Sequence, residues 1–531
     1  MKEKTALPIL QNLMLVLAAS VCFFLAHPNF IFSDGLGLLV FFLYFPILIL
    51  VHRCSLKSLW IYGGLFGALS YLLFAYWLVN YHFITLILVC LLYFFLYALL
   101  LTGLKISELL FKEYSWIVSF LFVAAFEYLK SLGFLGFSYG TSAYALWKFR
   151  PLIQSASIFG VFGLNLLVLF PSFYIFSLFL NKRKRMVAGG IWIFLFTLNA
   201  VFGVIVEKSG KNFEYKNVIA VQNNESPWKN GLSEHQKNID NLINLTEKAL
   251  KENPETDFVI WPETAVAPSI IHHFYSMEDM GRLKLVLSLL DYMNSKDCIF
   301  VIGNAHEEYL EEKKIYNDAM VFLPRENVIP PEPERYSKIH LVPISESFPY
   351  KKVFPHIYDA LLKANTHFWE KGSQYTVFNE RNLAFSTPIC FEDTFGNDCR
   401  HFVKNGARAF FNLSNDSWSE SLACQKQHLS MAVFRSVENR VPSVRSTSSG
   451  QTCVINQYGK ITGEVKAFTQ GYVAGKVPVI SSSSENKLTL YTRYGDYAGI
   501  MEVFLSLGLL IIKGIVCIIK KNNRGLHGRK K

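Results

Sequence analysis

Thr387-Pro388-Ile389-Cys390-Phe391-Glu392-Asp393 places a cysteine after a short strand-like run, Leu383 to Ser386, and before a helical pattern from Glu392 to Lys404 closed by Gly406. Upstream, Asp257-Phe258-Val259-Ile260-Trp261 is a second strand-like run, stopped by Pro262 so that Glu263 stands at its mouth. Tyr336-Ser337-Lys338-Ile339-His340 sets a lysine just before another apolar run. Strand ends are where an α/β sheet presents side chains to a cleft. A carboxylate, an ammonium and a thiol presented there supply the base, the oxyanion stabiliser and the nucleophile of acyl transfer through a thioester.

Outward from these three points the pattern continues. Strand-like runs cover 217–222, 298–303, 317–322, 409–413 and 452–456, and helical patterns cover Ser233 to Lys251 and Lys426 to Arg440. Alternation of this kind predicts layered sheets covered by helices. The Tyr458-Gly459 turn between Val454-Ile455 and Ile461 predicts a hairpin. Pro330-Pro331-Glu332-Pro333-Glu334 reads as a mobile loop.

The α/β pattern is flanked by something different. The chain has 531 residues, 51% of them hydrophobic, and its mean hydropathy is +0.26, too apolar for an ordinary soluble protein. Apolar stretches of about 20 residues cross a hydrocarbon core of ~30 Å as helices. Such stretches lie near 8–27, 33–51, 57–79, 83–104, 114–133, 152–180, 187–206 and 497–519. The expected organisation is therefore a helical membrane domain over 1–207 with about seven spans, an α/β domain over 208–490, and a last span with a basic tail over 491–531.

Charge orients these spans, because loops on the cytoplasmic side are rich in Lys and Arg. Lys2 and Lys4 precede the first stretch, Arg53 and Lys57 follow the second, Lys105 and Lys112 the fourth, and Lys182 to Arg185 the sixth. Lys520, Lys521, Arg524, Arg529, Lys530 and Lys531 close the chain. Every second loop is basic, which predicts cytoplasmic termini and places 208–490 on the other side. The net charge of +11 is thus largely a topology signal, and with no aromatic-interleaved basic stretch in the α/β segment, nucleic acid is not an expected partner. The N-terminal stretch continues through Phe23-Phe24-Leu25 past Cys22, with the bulky Val21 before it, and reads as an uncleaved span.

The nine cysteines contain no C-x-x-C pair, so a zinc ribbon or thioredoxin-like site is unsupported. There is no G-x-S-x-G elbow, no H-E-x-x-H and no Gly-rich phosphate loop with a lysine, which sets aside serine hydrolases, zinc proteases and nucleotide enzymes. His272-His273 reads as part of a polar loop, and neither a metal nor an organic cofactor is implied. Cys390 at a helix N-terminus beside Lys338 is expected to have a lowered pKa, against the push of Glu392 and Asp393.

Taken together, Trp261-Pro262-Glu263-Thr264, Lys338 with His340-Leu341-Val342-Pro343, Ile389-Cys390-Phe391-Glu392 and Asn412 to Trp418 resemble the Glu-Lys-Cys signature of the nitrilase superfamily. Arg435 to Arg440 and Arg445-Ser446-Thr447 add to it. With the membrane spans, and Gln154-Ser155-Ala156, Gly160 and Gly163-Leu164-Asn165 near the sixth, the chain resembles the superfamily's membrane-integral branch, the apolipoprotein N-acyltransferases of the bacterial inner membrane. It departs from that pattern at Phe391 where tyrosine is common, at Ser345, at Ser419, and at Ser448-Ser449.

The resemblance implies an αββα sandwich on a bundle of about eight helices, with the catalytic domain periplasmic. It implies Glu263 as general base, Lys338 as oxyanion stabiliser and Cys390 as nucleophile, with Glu346 and Glu392 in support and Trp228 and Phe391 as substrate-lining side chains. The implied reaction moves an acyl chain from a phospholipid, through a Cys390 thioester, to the α-amine of the diacylglyceryl-cysteine of an apolipoprotein. Phe348, Tyr350 and Phe354 are candidates for an acyl entry or lid. A membrane-anchored amidase using the same three residues with water as acceptor, and a non-catalytic transporter or receptor, are the alternatives.

Overall fold

The computed structural model describes residues 3–180, 185–208, 214–226, 230–309, 313–363, 366, 368–479 and 488–528. The chain divides into two compact units, Met1–Ile205 with Asp496–Lys531, and Val206–Gly495.

The first unit is helical. Its long elements are α1 (Glu3–Ala26), α2 (Phe45–Arg53), α3 (Leu56–Phe74), α4 (Phe83–Phe111), α5 (Ser115–Leu129), α6 (Ala156–Leu180), α7 (Met186–Lys208) and α12 (Tyr497–Gly528). Among the described residues six apolar stretches are long enough to cross a membrane: Leu7–Ala26, Leu56–Phe74, Phe83–Leu129, Ala156–Leu180, Met186–Lys208 and Tyr497–Val516. The third contains both α4 and α5, which part at Lys112, where φ is +51°. The stretch expected at 33–51 is apolar over Gly37–Arg53 but is not a single long helix. It is a 3₁₀ turn over Gly37–Phe42 followed by the nine-residue α2, because Asp34-Gly35 and Pro46 interrupt the pattern. Gly160, at φ +68°, breaks the first turns of α6.

Polar side chains fasten this unit from within. Glu127 of α5 accepts hydrogen bonds from Tyr44 Oη at 3.2 Å, from the Ser142 N–H at 2.8 Å and from Asn165 Nδ2 at 2.8 Å, with the Ser142 hydroxyl as a further donor. In a medium without water each unpaired polar group is expensive, so one carboxylate with four donors from three other segments is a strong joint. Nearby, Lys130 Nζ donates to Gly140 O at 3.2 Å, and Tyr71 stacks on Tyr93 with centroids 3.3 Å apart.

The second unit carries two six-stranded sheets. One has the order β12-β1-β2-β3-β4-β5, built from β1 (Glu214–Gln222), β2 (Phe258–Ile260), β3 (Ile299–Tyr309), β4 (Lys313–Phe322), β5 (Glu334–Ser337) and β12 (Gly471–Val479). The other has the order β11-β10-β9-β8-β7-β6, from β6 (Phe378–Glu380), β7 (Leu383–Ser386), β8 (Ala409–Ser414), β9 (Ser443–Thr447), β10 (Cys453–Ile455) and β11 (Ile461–Glu464). The central pairs β1–β2, β2–β3, β7–β8 and β8–β9 are parallel; the outer pairs are antiparallel.

Period-2 alternation decides what each face does. Val218, Ala220, Phe258, Ile260, Ile299 and Val301 of the first sheet share a buried core with Phe385, Ala409, Phe411 and Leu413 of the second, and Phe258 meets Phe385 and Phe411 edge-on at 5.5 and 5.4 Å. The alternate residues Ile219, Val221, Val259, Trp261, Phe300 and Ile302 face outward. They pack under α8 (Leu232–Glu252), through Ile239 and Leu242, and α9 (Met280–Asn294), through Leu285 and Leu289. In the second sheet α10 (Gly396–Lys404) connects β7 to β8, and α11 (Leu422–Asn439) connects β8 to β9. Every residue of α11 except Leu422 and Lys426 is buried.

Two further expectations are corrected. His272 and His273 lie in a short helix, Ile270–Ser276, where His273 Nδ1 sits 2.8 Å from Ser269 O. Glu334, at the end of the proline-rich segment, is a strand residue, paired with Val321.

Candidate active site

Three loops at the strand ends converge. Glu263 follows β2 and Trp261, whose N–H donates to Val301 O at 2.9 Å. Gly303 of the neighbouring β3 lies so close that a Cβ there would stand 2.5 Å from both Pro262 O and the Thr264 nitrogen. The loop therefore rests directly on the β3 backbone, and Thr264 turns it at φ +47°. Asn317 on β4 donates through Nδ2 to Glu263 Oε1 at 2.8 Å.

Lys338 follows β5 and is fully buried. Its Nζ donates to Glu263 Oε1 at 3.2 Å and to Glu346 Oε1 at 2.8 Å. Glu346 is fixed in turn, because its Oε2 accepts the Val342 N–H at 2.8 Å. Burial alone would push the Lys338 pKa down; Glu263 and Glu346 outweigh it and hold the ammonium well above its ordinary value. Glu263 is pushed the other way from an ordinary carboxylate: burial raises it, Lys338 pulls it down, and Glu346 adds to the rise. The pair is thus a fixed cation beside a carboxylate made more basic than usual.

Cys390 departs from the sequence expectation. The helix expected from Glu392 is split into a 3₁₀ turn over Cys390–Thr394 and α10, with Phe395 extended between them. The cysteine has φ +49°, a left-handed conformation that costs a non-glycine residue of order 1–3 kcal/mol and clusters at functional sites. Neither a long helix nor its dipole acts on the thiol. Burial pushes its pKa well above the ordinary thiol value, Glu263 adds to that, and Lys338 only partly offsets it; Asp416 raises it further and the Ser414 hydroxyl lowers it. The direction is the reverse of the lowered pKa expected from sequence.

The turn is held because consecutive side chains are anchored on opposite sides. Glu392, almost wholly buried, accepts from Tyr336 Oη at 2.7 Å, the Ile339 N–H at 2.7 Å and the His340 N–H at 3.0 Å through Oε1, and from the Ile389 N–H at 2.7 Å through Oε2. One carboxylate therefore ties the residues flanking Lys338 to the residue before Cys390. Asp393 turns to α11, where it meets His428 Nε2 at 2.7 Å, and to β9, where it meets the Arg445 guanidinium.

Sequence-predicted Glu263, Lys338, Glu346, Cys390 and Glu392 are thus brought together. Phe391 is partly exposed, edge-on to Phe395 at 4.9 Å and to His340 at 5.9 Å. Trp228 lies outside the described residues. Phe348 neighbours Tyr350 and Tyr358, while Tyr350 and Phe354 are about half exposed. Sequence reasoning missed Asn317 and His428; an asparagine in a strand and a histidine in a helix carry no spacing signal of their own. The eight described cysteines are all unpaired.

Known proteins agree with this architecture. The carbon-nitrogen hydrolase family model matches residues 218–481, and the apolipoprotein N-acyltransferase N-terminal domain matches residues 19–174. Apolipoprotein N-acyltransferase 1 of Treponema denticola is 38% identical over 94% of this chain and 96% of its own length. Apolipoprotein N-acyltransferase 1 of Treponema pallidum is 38% identical over 95% of each chain, and the apolipoprotein N-acyltransferase of Borreliella burgdorferi is 28% identical over 89% of this chain and 90% of its own. With a helical apolar unit and a two-sheet unit matched by separate models, and with relatives similar over nearly their whole length, the chain belongs to the apolipoprotein N-acyltransferase family, a membrane-integral branch of the nitrilase superfamily.

Proposed function

We propose that this N-acyltransferase works by a two-step transfer in which Cys390 carries the acyl group, Glu263 moves the protons and Lys338 stabilises the oxyanions. The observation that supports it best is the buried Lys338 ammonium held between Glu263 at 3.2 Å and Glu346 at 2.8 Å, beside a cysteine in a strained turn.

In the first step the Glu263 carboxylate takes the thiol proton as Cys390 attacks the ester carbonyl of a phospholipid acyl chain. The negative charge that develops on the carbonyl oxygen is met by Lys338, a fixed cation that needs no reorganisation. Collapse breaks the ester bond, and Glu263 returns its proton to the departing lysophospholipid alkoxide. In the second step the neutral α-amine of a diacylglyceryl-cysteine attacks the thioester. Glu263 accepts the amine proton, the C–S bond breaks, and the same proton restores the thiol, leaving an amide. A thioester lacks the resonance of an ester and favours amine attack, so no nucleotide is required.

The alternation of basic loops supports cytoplasmic termini in a bacterial inner membrane, with the catalytic unit on the periplasmic side, where both lipid-linked reactants are within reach. The test is to incubate the purified, detergent-solubilised protein with phospholipid alone and to measure its intact mass. A hydroxylamine-sensitive gain of one acyl chain, absent from Cys390→Ala, is expected; no adduct in the wild type over varied lipids and detergents would overturn the donor assignment and favour an amidase.

A further inference from the structure

The helical unit has a cavity of its own, which the two-step scheme does not use. It measures about 470 Å³ and lies where the ends of α2, α4, α5 and α6 meet; Lys105, Lys112, Arg185, Glu108, Glu113 and Trp116 line it. Three cations and two carboxylates are thus gathered in one concavity, and their contacts separate the charges already spent from those still available. Lys105 is spent. Its Nζ has three N–H donors, and they meet Val51 O at 3.0 Å, His52 O at 3.3 Å and Glu108 Oε2 at 2.8 Å. The other oxygen of Glu108 meets His52 Nδ1, so this pair fastens α4 to the last carbonyls of α2 and offers nothing to a ligand.

Arg185 and Lys112 are different. The Arg185 guanidinium donates to Ser177 O at 2.6 Å and to Glu113 O at 3.0 Å, and its Cζ lies 5.4 Å from the centre of the Trp116 ring. Two carbonyls and an aromatic face hold the cation in place without cancelling its charge, and three of its five N–H groups have no partner among the described residues. Lys112 is exposed, and among the described residues its ammonium has neither a hydrogen bond nor an ion pair. Its backbone stands at φ +51°, where α4 gives way to a 3₁₀ turn over Lys112–Tyr114. Against these two cations stands one carboxylate, Glu113, so the cavity has one positive charge in excess. Lys513 of α12 adds another cation close by, over the Phe111 ring at 5.5 Å.

The edge of the cavity is apolar. Leu109 and Leu180 line it and are 58% and 40% exposed, on helices read as membrane spans. Cations in a concavity with bare apolar side chains at its edge match an amphiphile, with its phosphate inside and its acyl chains along the helices; a free phosphate ion would make no use of the edge. We propose that this cavity binds the headgroup phosphate of an anionic phospholipid, with Arg185 and Lys112 as its ligands. The bound lipid ties the turn between α4 and α5 to the end of α6, and so braces the helix ends. The alternation of basic loops puts this cavity on the cytoplasmic side, so the lipid held here is a structural partner and not the acyl donor. The site itself does not depend on Cys390 or on the donor assignment.

The test uses ether-linked phosphatidylglycerol, which has no ester for acyl transfer to consume, so its outcome is separate from that of the thioester assay. The delipidated full-length protein in a nonionic detergent is titrated with this lipid, and bound lipid is counted by native mass spectrometry. Lys112→Ala is expected to weaken binding about fivefold, and Lys112→Ala with Arg185→Gln about 25-fold, one factor for each basic side chain at an anionic headgroup. Lys57→Ala removes an exposed cation of another basic loop that does not line the cavity, and is expected to bind as wild type does. Ether-linked phosphatidylcholine is expected to bind severalfold more weakly, and inorganic phosphate in millimolar excess is expected not to displace the lipid. No loss in Lys112→Ala, an equal loss in Lys57→Ala, equal binding of phosphatidylcholine, or displacement by phosphate each overturns the proposal. Melting without lipid checks the fold, and where Arg185→Gln does not fold, the exposed Lys112→Ala alone decides.

Discussion

Glu346 reaches the Lys338 ammonium at 2.8 Å with one oxygen and the Val342 N–H at 2.8 Å with the other, so it fixes the cation and the chain that follows it together. Glu346→Ala leaves Lys338 to Glu263 alone, which ties up the base and loosens the loop. The rate of acyl-enzyme formation is expected to fall about 100-fold, by roughly the effect of losing one oxyanion donor. Glu346→Gln keeps an acceptor for Val342 and is expected to recover part of the loss. Time-resolved intact mass measures both, and a rate within threefold of wild type in the alanine variant would sink the assignment.

Acid should switch the first step off earlier than an ordinary carboxylate allows. Burial, against Lys338, raises Glu263 above its usual 4.5, and a protonated Glu263 cannot accept the thiol proton. The acid limb of the acylation profile is therefore expected above that value, with activity lost as pH falls through it. Lys338, held well above 10.5, gives no alkaline limb of its own in the measurable range. A limb at or below the ordinary value, in single-turnover rates against pH, would count against Glu263 as the base.

Gly303 offers a substitution remote from the reacting atoms. A Cβ there would stand 2.6 Å from Glu263 Cα as well as against Pro262 and Thr264, so Gly303→Ala must lift the base loop off β3. Misplacement of about 1 Å costs about 100-fold in rate, and that loss is expected with the melting temperature in detergent close to the wild-type value. A large fall in melting temperature would show a collapsed fold instead.

Asp318 predicts a stability change with pH. It is fully buried on β4; burial lifts its pKa from 3.8 to about 7, against Ser337 and Arg335. For a carboxyl raised on folding, the protonated form stabilises the fold, fully below the unfolded pKa near 4 and progressively less as pH rises through about 7. A shift of this size corresponds to on the order of 4 kcal/mol. Asp318→Asn should therefore melt higher than wild type in mild alkali and show a flatter dependence on pH. A wild-type melting temperature that does not fall between about pH 5 and pH 8 would contradict it.

Strands whose hydrophobicity alternates were legible in the sequence: β1, β2, β3, β4, β7, β8 and β10 all lie on runs read there. β5 and β9 were not, since Glu334–Ser337 and Ser443–Thr447 are mostly polar. β9 is nonetheless fully buried, and it is held by bonds that no hydrophobic pattern announces, such as Ser446 Oγ to Val221 O at 2.7 Å and Arg445 to Asp393. The helix after Cys390 was misread for a similar reason. Its first turn has helical composition, but Glu392 and Asp393 are drawn to opposite sides of the turn and Phe395 is left extended. Glu263, Lys338 and Cys390 stood out at strand ends and in a known pattern, whereas Asn317 and His428 became visible only when distant segments met.

The pairing of β1 with β12 runs from Glu214 opposite Val479 to Gln222 opposite Gly471. The first and last strands of the two-sheet unit are thus neighbours, and the polypeptide arrives and departs at one corner. The carbon-nitrogen hydrolase match, 218–481, begins within β1 and extends past the last residue of β12. The two ends of the domain are therefore each other's neighbours in one sheet, and a cut at either end leaves the strand at the other end without its partner.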